Sequence, residues 1–482
     1  MPILGGKKFA PKSVIRVESR PKLMATSAKA SPRASPKPSG SKSLLSRTKS
    51  ASPYPSSSDE KRTNDRKRKA GSAGPGPSQP KFDDDSDGDE DEDFLKGLEA
   101  PKRLRLASCE FSDENRTLTR QSAFKEGLKP LSRLIHAAHI TNEKSCPKAK
   151  RVLKATEKDD IRVKLQYPSM YGAESYELLY EDGKIDAVKD IRQVVEWVAN
   201  VYLTGEQAQE FTDPDTGIIR RLKKAIGRDD FAGFTTALKD GNERIRALSA
   251  NGTIRKNLDK MHGLPNELAK FILAQVYDRT VSPNVEKLKQ YKNGTDNVYG
   301  ELLFPFISEI FAKTRLTSDQ VFIDLGSGVG NVVFQAALQI GCESWGCEMM
   351  DNPCDFAEAQ EKEFGARCKM WGLLPGRVNL ERGDFTKNSR IHEVLKRADV
   401  ILVNNQAFTP ELNSKLVDKF LDLKKGCKVV SLKSFVNDQG SRNMNDVANN
   451  ILDVERHTYS EGGYVSWTDS GGSYCISTKK NQ

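Results

Sequence analysis

Apolar and polar positions follow a regular order over the C-terminal part of the chain. Short apolar runs of strand length alternate with stretches whose apolar residues recur at helical spacing. This order is typical of a parallel sheet that carries helices on both faces. The pattern predicts strands at 321–326, 344–349, 378–385, 398–405 and 427–433, and helices at 331–340, 353–364, 388–397 and 411–423.

Two extended segments, 452–459 and 473–478, follow the fifth predicted strand, and the glycine-rich stretch EGGYVSWTDSGGS joins them. They predict a terminal hairpin, which would add the only antiparallel pairing. The predicted fold class is therefore α/β, with a parallel sheet that ends in an antiparallel hairpin.

Ahead of the sheet the pattern is mainly helical. Pro265 and Pro305 each stand near the start of an apolar helical stretch, where proline is favoured. We interpret these apolar faces as core and assign them no chemistry. These faces belong to residues 163–180, which alternate like a strand, and to the helical stretches 186–203, 264–278 and 304–311. We therefore divide the ordered chain into a mainly helical part at 161–298 and an α/β core at 299–482.

The first 160 residues are predicted to be disordered. Within them, residues 1–80 hold 18 Lys/Arg against 4 Asp/Glu, in serine- and proline-rich sequence with almost no apolar periodicity. Such a segment cannot bury enough apolar surface to offset its chain entropy. We call residues 1–80 the basic arm, and residues 83–93, DDDSDGDEDED, the acidic run.

Charge is unevenly distributed along the chain. The whole chain carries +10, the basic arm +14 and residues 81–100 carry −8, which leaves +4 for residues 101–482. A positive field concentrated in the arm suggests a polyanionic partner, most simply DNA, although a solubilising tail remains the alternative. Two basic clusters, KRTNDRKRK (61–69) and PKRLR (101–105), resemble nuclear import signals and favour the nucleus.

Other classes of protein are disfavoured. No hydrophobic segment approaches the ~20 residues of a membrane span, and MPILGGKKF lacks the apolar core of a signal peptide, so we expect a soluble intracellular protein and no membrane partner. The 8 cysteines form no CxxC pair and histidines number 5, so neither a metal site nor a disulfide framework is predicted. Cys342, Cys347 and Cys354 are interpreted as buried free thiols.

The junction of the first strand and the first helix, VFIDLGSGVGNVVFQAA (321–337), carries the chemistry. Glycine-rich turns at the carboxyl ends of strands let a ligand approach the backbone, and an acid about 20 residues later can bind a ribose. Glu348 lies 22 residues after Gly326. Yet Gly326, Gly328 and Gly330 are spaced G-x-G-x-G, unlike the dinucleotide pattern.

Asp324, immediately before these glycines, argues against a pyrophosphate, which favours positive surroundings. A negative site suits a cationic ligand without phosphate. S-adenosylmethionine, with an ammonium and a sulfonium beside a ribose, fits this requirement. The combination of Asp324, the acid at the second strand and the terminal hairpin indicates a methyltransferase.

Two further motifs end strands. ERGDF brings Asp384 and Phe385, a carboxylate that can accept from an adenine amino group and a ring that can cover the base. VNNQAF brings Asn404 and Asn405 to the end of the fourth strand, where buried amides need partners.

These motifs closely resemble the disruptor-of-telomeric-silencing proteins, the non-SET methyltransferases of histone H3 lysine-79. The resemblance spans roughly residues 160–482 and rests on VYGELLFPFISEIFAKTRLTSDQVFIDLGSGVGNVVFQAA, GCEMM, GDF, ILVNNQAFTPELN, CKVVSLKSF and VSWTDSGGSYCIST. Its combination with the basic, disordered arm looks like the fungal branch. It implies a class I S-adenosylmethionine-dependent methyltransferase that acts on histone H3 lysine-79 in nucleosomes, with roles in chromatin regulation and telomeric silencing. We expect a monomer.

The resemblance also assigns roles residue by residue. Asn404 matches the asparagine of the active centre, and the lysine channel is matched by Leu402, Phe408, Trp467 and Tyr474. Two departures from the family pattern are Gln406, where an aromatic residue is usual, and Asn331, where glutamine is common. The cofactor contacts implied are Tyr299, Gly300, Glu301, Leu302, Phe322, Ile323, Asp324, Leu325, Gly326, Ser327, Gly328, Val329, Gly330, Asn331, Glu348, Asp384 and Phe385.

The implied reaction needs a neutral lysine amine held behind an electrophilic methyl group, with water excluded. A lysine side chain starts near a pKa of about 10.4, and a narrow apolar channel would lower that pKa by desolvation. No general base is evident, and mono-, di- and trimethylation are all chemically open. Two alternatives stay open: a DNA or RNA methyltransferase, and a catalytically inactive chromatin-binding protein.

Overall fold

The structure, a computed structural model, describes residues 110–289, 300–436 and 447–480. The basic arm, the acidic run and Tyr299 lie outside the described residues, so their assignments stay predictions.

The N-terminal part consists of short antiparallel ladders followed by helices. Strand β2 pairs with β3, and β1 pairs with β4, so the alternating stretch 163–180 forms strands as predicted. In chain order the elements are a 3-10 turn (Gln121–Phe124), α1 (Ala137–Ile140), β1 (Lys150–Arg151), β2 (Arg162–Gln166), β3 (Ala173–Glu177), β4 (Leu179–Tyr180), α2 (Ala187–Trp197), a π turn (Val198–Tyr202), α3 (Gln209–Thr212), α4 (Ile218–Gly227), α5 (Phe231–Ala250), α6 (Thr253–Leu258), α7 (Asn266–Thr280) and a 3-10 segment (Ser282–Lys289).

The prediction that residues up to 160 are disordered is wrong for residues 110–160. Leu118 and Ala123 are buried, and the buried guanidinium of Arg116 donates to the main-chain oxygens of Leu338 and Gln339. These contacts reach across more than two hundred positions of sequence. Local apolar periodicity carries no information about such partners, and this is why the pattern missed them.

The α/β core follows. In chain order its elements are α8 (Phe304–Thr314), β5 (Val321–Leu325), α9 (Asn331–Gln335), a π turn (Ala336–Ile340), β6 (Glu343–Glu348), α10 (Asp351–Met370), β7 (Val378–Arg382), α11 (Ser389–Leu395), β8 (Val400–Val403), α12 (Pro410–Phe420), β9 (Lys428–Ser431), α13 (Val447–Ile451), β10 (Leu452–Tyr459) and β11 (Gly472–Lys479).

Seven strands form one sheet in the order β10, β11, β9, β8, β5, β6, β7. The five strands β5 to β9 are parallel, and the terminal hairpin adds β11 antiparallel to β9 and β10 antiparallel to β11. The predicted fold class is confirmed. Within this sheet the hairpin supplies the antiparallel pairs, as predicted, whereas the ladders of the N-terminal part add others outside it.

Strands β7, β8 and β9 end two or three residues earlier than predicted. In β7 and β8 the chain turns out of the sheet. Strand β7 stops at Arg382, since Gly383 adopts a φ of 134° and donates its N–H to the Glu348 carbonyl oxygen. Strand β8 stops at Val403, whose carbonyl oxygen accepts from the Asn405 N–H at 2.9 Å. Both turns lie where the site residues emerge.

Three apolar clusters hold the layers together. Helix α8 packs with the inner face of the hairpin on one side of the sheet, through residues such as Phe306 and Tyr474. Helices α11 and α12 cover the other side, through residues such as Ile391 and Leu416. The helical part shares a third cluster with α9 and α10, so it is continuous with the sheet domain and does not have a separate core.

A buried network of charges joins the same parts. Glu174 on β3 bonds to Arg279 on α7 and to Arg367 on α10, and all three side chains are almost fully buried. Burial raises the pKa of Glu174, but the two guanidinium groups outweigh burial and lower it to about 2. Removal of one partner would leave an uncompensated buried charge, which typically costs about 3–5 kcal/mol. The network therefore fixes the helical part against α10.

Candidate functional site

A cleft of about 380 Å³ opens at the carboxyl ends of the parallel strands. Ligand pockets of proteins commonly start near this size, and this edge is where open α/β sheets bind ligands. Most of the residues predicted from the glycine turn, the strand ends and the loop over the cofactor meet here. The lining consists of Gly300, Glu301, Leu302, Asp324, Gly326, Ser327, Gly328, Val329, Asn331, Val332, Cys347, Glu348, Met349, Met350, Asp384, Phe385, Thr386, Leu402, Asn404, Phe408, Leu412 and Lys415.

The glycine turn after β5 is bent so that its backbone lies against β6. Gly326 and Gly330 both have a φ of 89°, a backbone conformation that residues with a Cβ atom rarely adopt. The N–H groups of Gly326 and Ser327 donate to the Cys347 carbonyl oxygen at 2.9 and 3.1 Å. The turn is thus fixed before any ligand arrives.

Glu348 connects the turn to the end of β6. One carboxylate oxygen accepts from the Gly328 N–H at 2.9 Å, and the other accepts from Met349 and Met350 N–H, both at 2.8 Å. A carboxylate has about four acceptor positions, so three are already occupied by the backbone. The side chain is therefore oriented toward the cleft with acceptor capacity left for a ligand hydroxyl.

Asp324 lies at the base of the cleft and is only 3% exposed. Burial, and then the nearby Glu348 carboxylate, raise the pKa of Asp324 well above its ordinary value. A cation bound next to this side chain would stabilise the ionised carboxylate and so lower its pKa again. The base of the cleft therefore favours a cationic group.

The far end of the cleft is formed by the segment after β7 and by the start of α12. Asp384 accepts from the Thr386 N–H at 2.8 Å and from its hydroxyl at 2.6 Å. Burial raises the pKa of Asp384, but these two bonds and Lys387 lower it below its usual value overall. The rings of Phe385 and Phe408 are nearly parallel, 6.2 Å apart. This end combines an ionised carboxylate with aromatic faces.

The loop over the cleft is held by the hairpin connection. Leu302 pairs with Val465, and the Glu301 N–H donates to the Ser466 hydroxyl at 2.8 Å. The ring of Trp467 lies so close to Gly300 that a Cβ there would stand 2.8 Å from it. The two loops are thus packed as one unit at the rim.

Asn404 joins this loop to the end of β8. Its amide donates to the Gly300 carbonyl oxygen at 3.3 Å. Its own side-chain oxygen is buried and finds no hydrogen-bond partner within the described residues. Because a buried acceptor without a partner is costly, this oxygen is a candidate for contact with a ligand.

Several residues predicted from the resemblance do not line the cleft. Phe322, Ile323 and Leu325 are core residues of β5, because a central strand is packed on both faces. Gly330 starts α9 and faces the ring of Phe334. They support the site without lining it.

The predicted channel residues divide into two groups. Leu402 and Phe408 line the cleft, whereas Trp467 stands at its rim, 40% exposed. Tyr474 is fully buried between core rings, and its hydroxyl donates to Glu309 at 2.9 Å. Its position on β11 points the ring into the core, so the structure does not place Tyr474 on the cleft wall. Gln406 is exposed, and it does not belong to the lining of the cleft.

Other lining residues were not predicted. Thr386 follows the GDF motif, and its N–H and hydroxyl donate to the Asp384 side chain two residues earlier. This is an Asx turn, which an aspartate in a loop commonly forms. Leu412 and Lys415 come from one face of α12, at the spacing of three that such a face requires. Cys347 also lines the cleft, and burial raises its pKa to about 12, so it stays a neutral thiol. The prediction of buried free thiols at Cys342, Cys347 and Cys354 is confirmed.

The described residues contain neither a metal-binding cluster nor a membrane-spanning helix. Over residues 110–289, 300–436 and 447–480, no group of three or more His, Cys, Asp or Glu could hold a metal ion. In the same ranges, no helix combines the length and the apolar character that crossing a membrane requires.

Comparison with known proteins places the chain in context. The family described as "Histone methylation protein DOT1" matches residues 277–479. A histone-lysine N-methyltransferase, H3 lysine-79 specific, from Gibberella zeae is 54% identical over 443 residues, covering 90% of this chain and 88% of that protein. Proteins with the same description from Chaetomium globosum and Emericella nidulans are 56% and 48% identical, covering 72% and 78% of this chain and 67% and 76% of theirs.

The contact between the glycine turn and β6 can be tested at Gly346. A Cβ at this position would lie 2.7 Å from the Ser327 hydroxyl oxygen and 2.9 Å from a Val333 methyl group. Gly346→Ala should therefore lower the free energy of unfolding by about 1–3 kcal/mol, the usual effect of overpacking. Denaturant titration measures it.

Gly365→Ala is the matched control. Nothing lies within 4 Å of a Cβ built on Gly365, and the residue is inside α10. This change should raise stability by about 0.5–1 kcal/mol, since alanine is the better helix former. Equal stability of the two variants would contradict the tight contact at Gly346.

Proposed function

Because the chain belongs to the DOT1 family of H3 lysine-79 specific histone-lysine N-methyltransferases, we propose that it transfers a methyl group from S-adenosylmethionine to lysine-79 of histone H3 in nucleosomes. One observation carries the assignment of the cofactor site. Two carboxylates, Asp324 and Glu348, face one cleft from the ends of neighbouring parallel strands, with a fixed glycine turn between them.

The charges of the cleft fit S-adenosylmethionine. Asp324 lies where a positive amino group would relieve the charge repulsion with Glu348. Glu348 retains an acceptor for a ribose hydroxyl, and a second hydroxyl would displace one of its backbone partners. Asp384, with Phe385, would hold the adenine ring. These roles need no rearrangement of the sheet.

S-adenosylmethionine supplies a methyl group that is already electrophilic, so the protein has to orient and desolvate the acceptor. Leu402 and Phe408 present apolar surface to the cleft, which would lower the pKa of an entering lysine and favour its neutral amine. The unpartnered side-chain oxygen of Asn404 would accept a hydrogen bond from that amine. Orientation of this kind, with water excluded, is the contribution that such a transfer needs from the protein.

The nucleosome would be held largely by charge. The basic arm carries +14, and a segment of this charge can neutralise several phosphates of nucleosomal DNA without reading sequence. A histone acceptor on DNA also implies that the protein works in the nucleus, as the two import-like clusters suggest. We propose that it acts as a monomer, with histone H3 and nucleosomal DNA as its partners.

Transfer of labelled methyl groups tests the proposed function directly. The full-length protein is incubated with labelled S-adenosylmethionine and, separately, nucleosomes, free histones, naked DNA and RNA. Label should appear on histone H3 of nucleosomes and be lost when lysine-79 is replaced by arginine. Label on DNA or RNA alone would instead support a nucleic-acid methyltransferase, and no label with any acceptor would support an inactive binding protein.

Cofactor affinity should depend on pH through Asp324. Its pKa is raised in the free protein, and a protonated carboxyl cannot neutralise the ammonium group of the ligand, so binding requires loss of that proton. Affinity should therefore weaken as pH falls below the raised pKa of Asp324 in the free protein, by up to roughly tenfold per pH unit for one linked proton. Calorimetric titration measures it, and Asp324→Asn should bind weakly without this dependence. The same pH dependence in Asp324→Asn would assign it to another group.

Deletion of residues 1–80 should leave cofactor affinity unchanged. It should weaken binding to nucleosomes and to naked DNA together, because both present the same phosphates. The slope of log affinity against log salt should become flatter as fewer counterions are released. An unchanged salt slope, with unchanged methylation of nucleosomes, would show that the arm does not hold DNA.

A further inference from the structure

We propose that Asn405 is a positioning residue for methyl transfer, whose side chain clamps the end of β8 to the end of β9 and thereby fixes the direction in which Asn404 and Phe408 face the cleft. This inference rests on the proposed function, since it assigns a role in the same reaction. Asn405 itself is fully buried and does not line the cleft.

The backbone leaves the sheet abruptly at this point. The Asn405 N–H donates to the Val403 carbonyl oxygen at 2.9 Å, and the Phe408 N–H donates to the Asn405 carbonyl oxygen at 3.3 Å. Two tight turns therefore meet at Asn405. Its main-chain groups are used within the turns and cannot continue the ladder with β9.

The side chain of Asn405 replaces the missing ladder. Its oxygen accepts from the Lys433 N–H at 2.8 Å, and its amide donates to the Lys433 carbonyl oxygen at 3.0 Å. The last register pair of the ladder is Val403 with Ser431, so Asn405 and Lys433 are the next residues in phase. The amide imitates the backbone of a strand, and it extends the pairing of β8 and β9 beyond both strands.

A third bond reaches the next element. The amide of Asn405 also donates to the side-chain oxygen of Asn413 on α12, at 3.3 Å. One buried side chain thus joins the ends of two strands and a helix, with both of its donors used. Since α12 also supplies Leu412 and Lys415 to the cleft, the clamp fixes that wall.

The consequence concerns orientation. Asn404 precedes the clamp and Phe408 follows it by one turn, and both line the cleft. Without the Asn405 side-chain bonds, the turn between them loses its links to β9 and α12, and its own short main-chain bonds remain. Rotation of the turn would redirect the Asn404 side chain away from the acceptor amine. The glycine turn, which follows β5, and Glu348, which ends β6, would be unaffected.

The test compares turnover with cofactor binding in the full-length protein. Asn405→Ala removes all three side-chain bonds. We expect kcat on nucleosomes to fall by at least about tenfold, as misplacement of a catalytic wall usually does. The Kd for S-adenosylmethionine should stay within about threefold, and the number of calorimetric binding sites should stay the same, because the cofactor residues are held elsewhere. Asn405→Asp has nearly the same volume and keeps the acceptor for the Lys433 N–H, but it loses the donated bonds. It should likewise lower kcat and leave the Kd for S-adenosylmethionine nearly unchanged.

Lys433→Ala is the matched control, because both clamp bonds at this position use the main chain and the side chain is exposed. It should keep the wild-type kcat. If both Asn405 variants lose kcat in proportion to their number of cofactor-binding sites, Asn405 has only a structural role and the inference is overturned. An unchanged kcat in both variants would also overturn it. The proposed function is judged separately, since it fails only if the wild-type protein does not methylate nucleosomes.

Discussion

The close approach of the glycine turn to strand β6 is the contact on which the site depends. Two N–H groups of the turn bond to the Cys347 carbonyl oxygen, and a third bonds to the Glu348 carboxylate. Gly346 leaves the space that this approach requires. As a result, Asp324 and Glu348 stand on one side of one cleft, although 24 positions of sequence separate them. Their mutual repulsion then favours a cation.

The rest of the molecule keeps the two walls of that cleft in place. On one side, the buried charges of Glu174, Arg279 and Arg367 hold the helical part against α10, which follows β6. On the other, the Asn405 side chain holds β8, β9 and α12 together. The hairpin connection fixes the loop above. Cofactor binding and acceptor orientation thus depend on different contacts, which allows a mutation to affect one without the other.

Much of this architecture could be predicted from the sequence, because it is encoded locally. The alternation of strands and helices, the glycine spacing and the acids at strand ends are all properties of short windows, and they placed Asp324, Glu348, Asp384 and Asn404 at one edge. Long-range contacts could not be predicted in this way. Arg116 bonds to carbonyl oxygens of a distant π turn, and its segment has no periodic pattern, so it was predicted to be disordered. Tyr474 matched a family motif, yet its ring packs in the core.

The most direct test of the account is a crystal structure of the full-length protein with S-adenosylhomocysteine, the product that keeps the amino group, the ribose and the adenine. The amino group should lie against Asp324, the ribose hydroxyls should donate to Glu348, and the adenine should lie beside Asp384 and Phe385. The Asn404 side-chain oxygen should face the side of the sulfur from which the methyl group has left. A ligand bound elsewhere, or a ribose without contact to Glu348, would contradict the account.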